Sequence, residues 1–186
     1  VRSAANFLAK VIAAFQNNDL FALREISNNA IDHAALENDR ELARIALIAY
    51  SLHKLAGKHH IVGDDRWRDV KHDILFDLRL ASKAIEKNNF EEFDFRLKAA
   101  IDSVQQTDKK MGYYVQDVFE KAKVKHASVA YGMGLGLGQA AELTGADKKE
   151  LLRYIGATRL ADSEAVTVGI RGRLEKLKEK IRKGKK

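Results

Sequence analysis

LGQAAELTGADKKELLRYIG, residues Leu137 to Gly156, holds two short apolar-periodic runs on either side of a glycine. Leu137, Ala140, Ala141 and Leu143 offer one packing face within the first run. Gly145 ends it, because glycine takes a positive φ at little steric cost and lets the chain turn sharply. Asp147 is a start signal for a second helix: its carboxylate can accept from a free backbone N–H, and Glu150 stands three residues on, as in a capping box. Leu151, Tyr154 and Ile155 are the expected buried side, and Gly156 is the expected stop. Lys148, Lys149, Leu152 and Arg153 are then left exposed.

The rest of the chain carries the same helical signals. With no proline in 186 residues, and with Ala, Leu, Lys and Glu abundant, the expected fold class is all-α. Ser3 caps a first helix to about Gln16, with Phe7, Leu8, Val11, Ile12 and Phe15 on one face. Asn17, Asn18 and Asp19 break it, and Asp19 caps a second helix from Leu20 to about Ala34. A third runs roughly from Arg40 to Leu55 on Leu42, Ile45, Ala49 and Leu52. GKHHIVGD, from Gly57 to Asp64, reads as a loop. Asp64 or Asp65 then caps a long helix through Trp67, Val70, Ile74, Leu78, Ala81 and Ile85. Asn88 and Asn89 end it, and another begins at Phe90. A weak internal repeat with an offset of 70 places Asn18 over Asn88, Ala30 over Ala100 and Ile31 over Ile101. Each copy reads as a helix, an Asn-rich turn and an aromatic-led second helix, the form of an antiparallel hairpin.

From His126 to Gly156, about 30 of the 186 residues, the chain resembles a helix-turn-helix of the nucleic-acid-binding kind. The likeness rests on small Ala141 in the first helix, Gly145 four residues later, and apolar Leu151 and Tyr154 in the second. It implies that the second helix presents its N-terminal half to the major groove of duplex DNA. Arg153 would then read a base edge or clamp a phosphate. Lys148 and Lys149 would hold phosphates beside the helix N-terminus. Over its full length the chain resembles an archaeal family of all-helical proteins that end in such a unit, and that likeness names no activity.

Charge points the same way. Arg171 to Lys186 contains nine Lys or Arg against Glu175 and Glu179, so the formal charge of +7 resides there and the preceding 170 residues balance to zero. Arg171, Arg173, Lys176, Lys178, Lys180, Arg182 and Lys183 are therefore candidate phosphate contacts. Ile170, Leu174, Leu177 and Ile181 give this basic terminal helix a narrow apolar stripe, suited to docking on the body or pairing with a second copy. Between Gly156 and Thr167 the helical signals fade, and an extended segment is expected. No apolar run approaches the roughly 20 residues of a membrane span. The amphipathic first helix is not preceded by a short apolar region with a cleavage site, so no secretory signal is expected. Absence of cysteine removes disulfides and thiol chemistry and is compatible with a cytoplasmic location.

Catalytic signals are absent or weak. GMGLGLG, from Gly132 to Gly138, has the composition of a phosphate loop without a preceding strand or a following Gly-Lys-Ser/Thr. His53, His59 and His60 lie close in sequence but lack the further ligand spacing of a metal site. No G-x-S-x-G elbow singles out a serine. The expected protein is not an enzyme and needs no metal or cofactor. Its expected architecture is a helical-hairpin bundle over residues 1–107, then a helix-turn-helix module with a basic C-terminal helix over 112–186. Its expected function is non-catalytic binding of nucleic acid, duplex DNA before RNA, in a regulatory role. The alternatives are an RNA- or ribosome-associated factor, or an antitoxin-like adaptor whose N-terminal bundle holds a protein partner.

Overall fold

The Asn-Asp and Asn-Asn dipeptides punctuate the molecule. The computed structural model describes residues 2–111, 118–161 and 178, and the side chains of 3–107, 118–158 and 178. Among the described residues there are nine helices and no strand, and the fold is all-α. The helices are α1 (Arg2–Gln16), α2 (Leu20–Glu37), α3 (Arg40–Ala56), α4 (His59–Val62), α5 (Trp67–Glu86), α6 (Phe90–Met111), α7 (Val118–Gly132), α8 (Leu137–Thr144) and α9 (Lys148–Ala161).

Three of the connections use one device. Asn18, Asn38 and Asn88 take left-handed φ values of 54°, 52° and 56° and reverse the chain after α1, α2 and α5. Asparagine tolerates this conformation better than other residues with a Cβ. The next residue begins the following helix. Asp19 accepts from the Ala22 N–H at 2.8 Å, Asp39 from Glu41 and Leu42, and Asn89 from Glu92 at 3.1 Å. In the two copies of the repeat even the closing backbone bond matches: Asp19 N–H donates to Ala14 and Asn89 N–H to Ala84, each at 2.9 Å. The offset of 70 thus has a backbone counterpart, and the buried residues Leu23 and Ala30 correspond to Phe93 and Ala100.

α3 is the central helix. Leu42, Ala43, Ile45, Ala46, Ile48, Ala49 and Leu52 are fully buried, so it is covered on more than the single face that the spacing of Leu42, Ile45, Ala49 and Leu52 suggests. Its cover comes from α1, α2, α6, α7 and α8. The alanines allow that crowding, since a helix with a small side chain at the contact lets its neighbour approach closely. α5 pairs with α6 and also lies on α1, where Trp67 meets Phe15 edge-on at 6.1 Å. Lys71 reaches from α5 to the end of α1 and donates to the Gln16 carbonyl and to Asn18 Oδ1, tying down the first Asn turn.

Residues 57–64 are not all loop. The short α4 forms within them because Ile61 is apolar enough to be buried completely. The following turn is closed by Asp64, which accepts from the Arg66 backbone and pairs with its guanidinium. That partner holds the Asp64 carboxyl down at about 2. One contiguous cluster of buried side chains runs from Ala4 to Leu151. No helix among the described residues is long and apolar enough to cross a membrane.

Candidate nucleic-acid interface

α7 carries the C-terminal part of the chain onto the α2–α3 pair. His126 sits at the junction, 2% exposed, with its ring edge-on to Tyr50 at 5.3 Å. Its Nδ1–H donates to the Ala122 carbonyl at 2.9 Å, which leaves Nε2 as acceptor in the neutral ring. Ser27 Oγ lies 2.8 Å from Nε2 and 2.9 Å from the Ala46 carbonyl, so its single hydrogen can satisfy either. Burial, against the help of the Ala122 bond, pushes the imidazole down to about 4.

Beyond α7 the chain turns at Gly134, whose φ of +112° excludes most side chains, and enters α8. Gln139 Oε1 accepts from the Gly136 N–H at 3.0 Å, reaching back as the fourth residue of a capping box does. Gly145 ends α8 with φ +71°, and the Ala146 N–H closes the turn on the Ala141 carbonyl at 3.0 Å. Asp147 then accepts from the N–H groups of both Lys149 and Glu150 at 2.9 Å. These bonds, Glu150 first, lower the Asp147 pKa. They also occupy two of the donors that a phosphate would need at this helix N-terminus.

α9 differs from its sequence reading in two ways. It does not stop at Gly156 but continues to Ala161. An interior glycine costs only about 1 kcal/mol in a helix, and no left-handed residue or proline interrupts the chain between Gly156 and Ala161. Consequently the expected extended segment is helical over 157–161, and its remainder lies outside the described residues. Tyr154 is also not buried. It is 39% exposed, whereas Leu151 is fully buried and Ile155 half-buried.

Lys148, Lys149, Leu152 and Arg153 are all exposed. They do not form one surface. Lys148 folds back over α8, its Nζ 3.6 Å from where a Cβ on Gly138 would stand. Arg153 lies on the other side, lining a cleft of about 720 Å³ against α7. Lys149 is one helical turn from Arg153 and shares its flank. Of the terminal candidates only Lys178 is described, as helical and exposed. Arg171, Arg173, Lys176, Lys180, Arg182 and Lys183 lie outside the described residues.

Other cations gather where no motif marked them. Lys121 and Lys125 line the cleft with Arg153, beside Tyr50 and Tyr154 and the carboxylates Glu120 and Glu150. Lys125 Nζ stands 4.3 Å from the Tyr50 ring centre, and Lys54 Nζ 5.5 Å from the same centre. Burial lowers the Lys125 pKa, and the neighbouring charges of Lys54 and Arg24 lower it further. Burial raises that of Tyr50, with Tyr154 adding to it and Arg24 opposing. Only the i, i+4 pairs Tyr50–Lys54 and Lys121–Lys125 hinted at this in the sequence, and nothing there brings the two helices together. His53 faces another task, donating from Nδ1 to the Leu20 carbonyl at 2.9 Å and joining α3 to the start of α2. Among the described residues, no group of three His, Asp or Glu side chains converges as metal ligands would. Compared with protein-family models, with curated proteins and with solved structures, the chain matches none.

Proposed function

We propose that the chain is a non-catalytic nucleic-acid-binding protein in which α8, the Gly145 turn and α9 act as a helix-turn-helix and α9 lies against duplex DNA. One observation carries this reading: α9 is anchored through Leu151 and, less deeply, Ile155, so that Lys149, Leu152 and Arg153 stand free on one flank. A groove-reading helix needs both properties, a buried seam to hold it and an uncovered basic side to approach the polyanion. Arg153 contributes a planar fork suited to guanine or phosphate, and Lys149 a point charge. Lys148, drawn back over α8, contacts the flanking backbone rather than a base edge. The regulatory role and the contribution of the basic C-terminal residues belong to the same proposal.

The test is equilibrium binding to duplex DNA, structured RNA and single-stranded RNA at one fixed salt concentration. Duplex DNA is expected to bind tightest. Tighter binding to either RNA would replace groove reading with the RNA-associated alternative, and no binding to any of them would favour the protein adaptor.

A further inference from the structure

The cleft of about 720 Å³ has a helix for each wall. Glu150, Arg153, Tyr154 and Ala157 line it from α9, at steps that put all four on one helical face. Glu120, Lys121, Val124 and Lys125 do the same from α7, and Tyr50 of α3 completes the lining. A groove between two helix faces is the shape that a third helix fills. Charge does not select the occupant, because each wall mixes both signs: Glu120 with Lys121 and Lys125, Glu150 with Arg153. What the walls leave to solvent without such a balance is apolar, the Tyr154 ring at 39% exposure and the exposed Ala157 methyl. The chain leaves α9 at Ala161, one turn beyond Ala157 and so at the mouth of the same cleft.

We propose that the α7–α9 cleft is the docking site of this chain's own residues 170–181, which enter it as a helix on Ile170, Leu174, Leu177 and Ile181. Those four recur at steps of four, three and four, a single apolar edge that meets Tyr154, Ala157 and Val124. Lys178, helical and exposed, lies off that edge. The lengths agree: the α9 wall from Glu150 to Ala157 is about 10 Å long and the apolar edge about 16 Å. Residues 162–169 reach at most about 26 Å, enough to reverse the chain and lay the segment antiparallel to α9. Tethering keeps the segment at roughly millimolar effective concentration, so a narrow apolar contact is sufficient to seat it. By helical position Arg153 and Lys149 lie at the outer rim, away from the Leu151 anchor, so a docked segment leaves them facing solvent. The site therefore does not depend on whether α9 reads a groove.

The experiment is disulfide trapping in the whole chain, which has no cysteine of its own. Ala157→Cys is combined in turn with Leu174→Cys, with Leu177→Cys and with Glu179→Cys, whose position is opposite the apolar edge. Under mild oxidation Leu174→Cys or Leu177→Cys should give a monomeric disulfide at least tenfold faster than Glu179→Cys. Equal rates for all three, or no disulfide with any, would overturn the docking, and disulfide-linked dimers would assign the apolar edge to a second copy instead. Trypsin gives a second readout, since nine Lys or Arg lie within residues 171–186. Cleavage there should be at least fivefold faster in Tyr154→Asp and in Leu174→Asp/Leu177→Asp than in the parent. Tyr154→Asp changes an exposed side chain, so helicity by circular dichroism should match the parent. Cleavage at the parent's rate in both folded variants would overturn the proposal.

Discussion

His126 shows how one buried side chain couples the C-terminal helices to the α2–α3 pair. Neutral, it donates to Ala122 and accepts from Ser27; the Ala46 carbonyl then still has its backbone donor within α3. Lys125 beside it and the Tyr50 ring against it give the charged form no counter-ion. The folded pKa, about 4, lies below the ordinary 6.5. As pH falls from 6.5 the unfolded chain takes up the proton first, so stability falls with pH and levels off below about 4. The full change is about 3 kcal/mol. Urea unfolding between pH 7 and pH 4 should show this loss in the parent and not in His126→Gln, after subtraction of the carboxylate contribution common to both. Equal pH dependence in the two proteins would mean that the ring is not buried in its neutral form.

At the scale of the helices, most boundaries could be read because their causes are local. Asp19, Asn89 and Asp147 cap the next helix through their own side chains, and Gly145 turns the chain through its own φ. The Asn38–Asp39 turn follows the same logic, although α2 reads shorter in the sequence than its true end at Glu37. Left-handed φ at position 38 distinguishes two replacements. Asn38→Ala should lose about 1 kcal/mol in urea unfolding, whereas Asn38→Gly should lose little or nothing, because only the alanine meets the steric penalty. Equal losses would place the role of Asn38 in its side chain rather than its backbone. What could not be read depends on other elements. Tyr154 has helical spacing for burial, but the packing of α9 on α7 and α8 is taken up by Leu151 and Ile155, and the ring opens onto the cleft instead. The continuation of α9 through Gly156 escaped for another reason: a glycine signals a stop only when the chain after it turns.

For the whole molecule, the all-α class followed from composition and periodicity, while the gathering of Tyr50, Lys54 and Lys125 did not. Tyr50 and Lys54 are neighbours on α3, but Lys125 lies far along the chain, and it is the packing of α7 on α3 that brings it to them. The formal charge, by contrast, is visible only in the sequence, since its whole excess lies within residues 171–186. If about six of those basic groups meet phosphates, they contribute roughly −5 to the slope of log affinity against log salt for duplex DNA. Converting Arg173, Lys176, Lys178, Lys180, Arg182 and Lys183 to Gln, with the apolar stripe kept, should remove most of that slope. A slope unchanged in this variant would reassign the terminal segment to docking or dimerisation. Groove reading by α9 is tested most directly by duplex-DNA affinity, measured by fluorescence anisotropy for the parent and for Lys149→Ala/Arg153→Ala. Both exposed side chains can be removed without touching Leu151 or Asp147, so helicity by circular dichroism should be unchanged. Affinity should fall by about 1–3 kcal/mol for each of the two side chains that meets a base or phosphate, at least tenfold in all. A folded double variant that binds duplex DNA as tightly as the parent would contradict groove reading by this helix.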